Sequence, residues 1–105
     1  MDVNEVSKKI YEFVEKRVSE LGSELTPELM FIHLSEEIGE IARQLVNRNL
    51  PMREYKEDNL REEIAQAILD LFVLSEIFKI DLPKEINKKI GDMATKRQHQ
   101  LTTPA

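Results

Sequence analysis

Apolar residues recur at spacings of three and four along nearly the whole chain, and the alternation that marks strands is nearly missing. The first stripe is Val6, Ile10, Phe13, Val14 and Val18, on a helix predicted over about 3–21. Asp2 and Glu5 form a capping pair at its start, and Gly22 with Ser23 ends it. A second helix opens at Thr26-Pro27-Glu28 with a cap hydroxyl, a proline in the first turn and an early carboxylate. Its stripe is Met30, Leu34, Ile38, Ile41 and Leu45. Residues 47–59 make the main break, because Leu50 before Pro51 avoids helical angles. The third helix is predicted over roughly 60–78 or 60–79, with Leu60, Ile64, Ala67, Ile68, Leu71, Leu74 and Phe78 inward. Phe72, Val73 and Ile77 add a second apolar side, which favours a central position or a subunit interface. Asp81-Leu82-Pro83 starts a fourth helix whose inward residues are Leu82, Ile86, Ile90 and Met93. Its end frays into a polar tail from Gln98. The pattern predicts one all-α, four-helix bundle-like domain over residues 1–98 and a flexible tail over 99–105.

A chain of 105 residues holds one domain at most, and its core is modest. Long helices in so short a chain call for a partner subunit to cover their second apolar flank. The net charge of -5 argues against non-specific DNA binding and against docking on an anionic membrane. It leaves room for a small anionic ligand, since a bound metal reverses the local sign. With no cysteine, thiolate chemistry is absent. The start carries neither a basic nor an apolar leader segment, and no apolar run approaches the ~20 residues of a membrane span. A soluble, cytoplasmic protein is the expectation.

The chemistry lies beside the stripes. On a wheel of about 100° per residue, Glu37 and Glu40 fall on one flank of the second helix with His33 and Gln44, while Glu36 faces solvent. Glu63, Gln66 and Asp70 lie together beside the third stripe, and Glu62 points elsewhere. Carboxylates gathered next to a core repel one another and resist desolvation unless a cation joins them. Mg²⁺ takes oxygen ligands and is the first candidate, with Mn²⁺ as a substitute. The plainer reading pairs each acid with Arg43, Arg61 or a lysine of the fourth helix. His33 either faces a ligand pocket or is a partly buried, satisfied histidine. Arg53, Lys56 and Arg61 are solvated, or they contact phosphate from a loop that closes over the site. Tyr11, Phe13, Phe31, Phe72 and Phe78 belong to core or interface, with one of them available to stack on a base.

Two segments carry a family resemblance. They are His33-Leu34-Ser35-Glu36-Glu37-Ile38-Gly39-Glu40-Ile41-Ala42, and Arg61 through Glu62-Glu63-Ile64-Ala65-Gln66 to Asp70-Leu71, continuing to Ile80-Asp81-Leu82. They resemble the MazG-type nucleotide pyrophosphohydrolases, over most of the chain from about Leu29 to the fourth helix. The resemblance implies an oligomeric, all-α MazG-like fold, a homodimer or homotetramer in which helices of both subunits often build the pocket. It implies hydrolysis of a nucleoside triphosphate to the monophosphate and pyrophosphate. The family pattern is Glu-x-x-Glu, a spacer, then Glu-x-x-Asp, four acids that bind Mg²⁺. Carried across, Glu37, Glu40 and Glu63 match, and Glu40 or Glu63 accepts a proton from the attacking water. The fourth acid falls on Gln66, which offers a carbonyl oxygen without charge, and Asp70 is placed to reach in from the next turn. Lys89, Lys96 and Arg97 are the candidates for phosphate contact near the end of the fourth helix. The departure at Gln66 motivates the alternative, a helical nucleotide-binding or protein-interaction module with weak activity or none.

Overall fold

The computed structural model describes residues 1–102, and among them every regular element is an α-helix: α1 (Val3–Glu20), α2 (Pro27–Asn49), α3 (Glu57–Ile77) and α4 (Leu82–Thr102). Most helix ends have a local chemical cause. The Asp2 carboxylate accepts the backbone N–H groups of Asn4 and Glu5 at 3.0 and 3.3 Å. Thr26 Oγ1 accepts the Leu29 N–H at 3.1 Å, with Pro27 directly after it. Thr26→Ala is expected to cost about 1 kcal/mol of unfolding free energy, read as a lower urea midpoint at unchanged slope.

At the end of α1, Gly22 takes a left-handed φ of 79°, and the N–H groups of Gly22 and Ser23 reach back to the carbonyls of Ser19 and Val18. The same closure ends α3, with Lys79 in the glycine position at φ 55°. That conformation is unfavourable for a residue with a side chain. Lys79 offsets it with an ion pair to Glu76 at 3.2 Å and a place over the Tyr11 ring, 5.6 Å from its centre. The start of α3 differs from the sequence expectation. It lies at Glu57, ahead of Leu60, with no side-chain cap, because Glu57 and Asp58 put carboxylates against the helix dipole in the first turn.

α3 is central. It packs on one side against α2 and on another against α1, and α4 packs against α1. Asp81 ties α4 to the rest of the chain: its carboxylate accepts the Asn4 side-chain amide at 3.0 Å and the Lys84 N–H at 3.4 Å. α4 continues to Thr102, so residues 99–102 of the expected tail are helical; residues 103–105 lie outside the described residues.

The core is small and unusually polar. Met30, Leu34, Ala67 and Val73 are its buried apolar residues, and Ser7, Gln44, Asp70, Ser75 and Glu76 are buried with them. Several expected core positions face outward instead. Ile38, Leu45, Ile64, Ile68, Leu71 and Phe78 are exposed, and so is Phe13, at 66%. On α4, Ile86, Ile90 and Met93 point to solvent rather than inward. The apolar bands are wider than one neighbouring helix can cover, so the α2–α3 seam runs along the edge of each stripe that carries the acids. A compact chain of about 100 residues has a radius of gyration near 13 Å; this one measures 18.1 Å, with extents of 59 × 44 × 25 Å. Its accessible surface is 8469 Å² against about 6,100 Å² for a compact protein of 12.3 kDa. Among the described residues, no helix is long and apolar enough to cross a membrane.

Candidate active site

The packing of α2 on α3 brings the two acidic segments together. Glu37 and Glu40 are one turn apart on α2, both half-buried, and Glu63 is half-buried on α3. Glu36 and Glu62 are exposed, as the helical wheel places them. Glu63 is the strained member. Burial pushes its carboxyl above the ordinary value of 4.5, and the charges of Glu40 and Glu37 push it further in the same direction. Arg43 and a hydrogen bond from the Gln44 amide act the other way and do not cancel the shift. Arg43 is shared with Glu40, at 3.7 Å.

Among the described residues, three buried side-chain oxygens at this end of the seam have no hydrogen-bond partner: Glu63 Oε2, Gln44 Oε1 and Asn47 Oδ1. Orphans of this kind are rare and costly, and a carboxylate oxygen is the costliest of the three. The acids share one electrostatic field without closing into a cage: among the described residues, no three His, Asp or Glu side chains form a ready-made metal-binding group. Gln44 and Asn47 were not among the expected site residues. The signal was present in the spacing, since Gln44 stands four residues after Glu40 and seven after Glu37.

One turn toward the N-terminus of α2 the seam opens into a cleft of about 580 Å³ between α1, α2 and α3. Its walls are mostly apolar, from Phe13 and Val14 on α1 to Leu29 and Met30 on α2. Its polar side holds Arg17, His33, Glu37, Gln66 and Asp70, so Glu37 belongs to both the acid cluster and the cleft. Asp70 is only 1% exposed and both its oxygens are engaged. His33 Nδ1 lies 2.8 Å from Oδ2, and the Gln66 amide donates to Oδ1 at 2.8 Å. Gln66 and Asp70, expected as metal ligands, are thus turned toward each other and toward His33.

The expected phosphate-contacting cations lie elsewhere. Arg53 and Lys56 are exposed in the α2–α3 connection, where Lys56 pairs with Glu54 at 3.6 Å. Arg61 pairs with Glu57 at 3.3 Å. Lys89, Lys96 and Arg97 stand on the exposed length of α4, and none of them lines the cleft. Arg17, which does line it, was missed; its sequence signal was a basic residue between Phe13, Val14 and Val18 on the apolar stripe of α1. No protein-family model matches this chain, and no curated protein or solved structure matches it either.

Proposed function

We propose that this chain is a Mg²⁺-dependent nucleoside triphosphate pyrophosphohydrolase of the MazG type, releasing the nucleoside monophosphate and pyrophosphate, and acting as a homodimer or homotetramer. One observation carries the reading: Glu63 holds a buried, unpartnered carboxylate oxygen in the field of two further acids. Arg43 offsets that charge only in part, and a hard divalent cation with oxygen preference neutralises it directly. Glu37, Glu40 and Glu63 would hold Mg²⁺, or Mn²⁺ in its place. Few protein ligands suit Mg²⁺, which keeps several waters and takes the rest of its shell from phosphates. When bound, the ion supplies charge neutralisation of the triphosphate oxygens. Arg17 contacts phosphate from the α1 wall of the cleft. In this reading Asp70 and Gln66 support His33 and leave the metal to the three glutamates. Lys89, Lys96, Arg97, Arg53 and Lys56 serve as a diffuse cationic surface that draws the anionic substrate in.

The test is incubation of the purified protein with a panel of nucleoside triphosphates and Mg²⁺, with pyrophosphate and monophosphate both measured. Absence of turnover across the panel rejects the proposal. A second reading, a nucleotide-binding or protein-interaction module without turnover, draws on Gln66, whose amide is spent on Asp70 where the family pattern has an acid. Calorimetric binding of nucleotide with no pyrophosphate release would establish it.

The raised pKa of Glu63 gives a prediction independent of activity. A carboxyl whose folded pKa lies above its unfolded value binds protons more tightly in the native state. Its charge therefore costs stability as pH rises from about 4.5 through the folded pKa, and the cost is fully present above that. Glu63→Gln is expected to raise the metal-free melting temperature at pH 7 by a few degrees and to flatten its fall between pH 4.5 and 7. Mg²⁺ is expected to stabilise the wild type and to leave Glu63→Gln nearly unmoved. Parallel thermal melts with and without Mg²⁺ decide it.

A further inference from the structure

The proposed hydrolysis gives His33 no task of its own, yet it forms a hydrogen-bonded group with Asp70 and Gln66 at the edge of the cleft. Asp70 is buried at the α2–α3 seam, where a carboxylate survives only with its oxygens satisfied. Both are engaged: Gln66 Nε2 donates to Oδ1, and His33 Nδ1 lies at Oδ2, each at 2.8 Å. An ionised carboxylate has no hydrogen to give, so the hydrogen in the second bond belongs to His33. A neutral imidazole with its hydrogen on Nδ1 carries its lone pair on Nε2. That nitrogen, on the opposite side of the ring, makes no hydrogen bond among the described residues, and the His33 side chain is 49% exposed where it lines the cleft. His33 and Glu37 are one turn apart on the same face of α2, so the imidazole stands beside the acid cluster.

We propose that Asp70 and Gln66 are positioning residues that fix the tautomer and direction of His33, and that His33 Nε2 takes the proton of the water attacking the phosphoanhydride. The step balances within the cleft. The water oxygen bonds to the α-phosphorus, its proton passes to Nε2, and the bond from that phosphorus to the bridging oxygen breaks with its electron pair leaving on pyrophosphate. The Asp70 carboxylate stabilises the imidazolium that forms, as an oriented acceptor does for a histidine base. Gln66 then acquires a reason to be an amide. It donates a hydrogen bond to the buried carboxylate, which an acid in its place would oppose by charge. This role for His33 rests on the hydrolytic reading; the tautomer and its supports do not.

Two measurements separate these claims. The first is ¹⁵N–¹H correlation of the imidazoles in the full chain, with His99→Gln identifying the His33 signals. The expected pattern is hydrogen on Nδ1 and a pyridine-type Nε2. In Asp70→Asn the amide can donate to Nδ1, and the tautomer is expected to reverse. A wild-type hydrogen on Nε2, or an unchanged tautomer in Asp70→Asn, overturns the positioning role. Asp70→Leu is the second variant, should Asp70→Asn fail to fold. With no acceptor left at Nδ1 it is expected to mix the tautomers, and retention of the pure Nδ1–H form overturns the positioning role. The second measurement is turnover of a nucleoside triphosphate. His33→Gln and Asp70→Asn are each expected to lower kcat about a hundredfold or more with KM little changed, and their combination to be no worse than His33→Gln alone. A reversed tautomer with undiminished kcat overturns the base role and spares the hydrolysis. No turnover by the wild type overturns the hydrolysis and the base role together, and leaves the tautomer result standing on its own.

Discussion

Glu37→Gln combined with Glu40→Gln is expected to reduce pyrophosphate release from a nucleoside triphosphate by at least about a hundredfold, since even supporting partners of metal ligands cost 10–100-fold when lost. The loss is expected in kcat/KM at every Mg²⁺ concentration, and raising Mg²⁺ should recover only a small part of it. Removing both charges leaves Glu63 alone on α3, with an arginine, Arg43, that no longer has Glu40 to pair with. The folded state should not suffer. The charges of the two glutamates push Glu63 toward the protonated form, so their replacement relieves that repulsion. A double variant that melts no lower than wild type and has lost its turnover places these carboxylates in the chemistry. Undiminished turnover removes the acid cluster from it. Chelation gives the complementary reading: excess EDTA should abolish release, and Mg²⁺ or Mn²⁺ should restore it.

The second large effect is on assembly. Light scattering during size exclusion is expected to give at least twice the chain mass of 12.3 kDa. The single chain exposes roughly 2,400 Å² more surface than a compact protein of its mass, against about 800 Å² that each partner loses in a standard interface. Much of the exposed surface is apolar and ordered in rows. Ile64, Ile68 and Leu71 form a ridge along α3, and Ile86, Ile90 and Met93 form another along α4. A second copy is the partner that supplies a matching apolar row without any further component. Ile64→Glu with Ile68→Glu is expected to yield a monomer or an unfolded chain, because charge on such a ridge cannot be desolvated. A wild-type chain that stays monomeric at tens of micromolar, with a radius of gyration near 18 Å by small-angle scattering, removes the oligomer from the proposal.

These two expectations depend on different layers of information. The helices could be read along the chain because their causes are local. The Thr26 hydroxyl, Pro27, Gly22 and the aspartate before Leu82 act within a turn of their own position. Even so, α3 began early, since its cause was a pair of carboxylates rather than a capping side chain. The face each helix buries was harder. Ile38 and Ile64 fit a core stripe by spacing, yet they lie outside while Gln44 and Asp70 lie inside. Periodicity marks an apolar band but cannot say which edge of it meets a neighbour in the same chain and which is left uncovered.

The candidate site shows the same division. Spacing alone placed Glu37 with Glu40 and Glu63 with Gln66 and Asp70, because residues three and four apart share a helix face. It could not show that Gln66 and Asp70 turn toward each other, or that His33 closes on Asp70 across 37 positions of sequence at 2.8 Å. The sequence by itself determined four helices and the acids each carries, through capping chemistry and helical period. Only the packing of α2 against α3 decided which acids share a field, which oxygens are left without a partner among the described residues, and which nitrogen of His33 meets Asp70. Those outcomes depend on the rotation of each helix about its own axis, and that rotation is set by contact between distant segments.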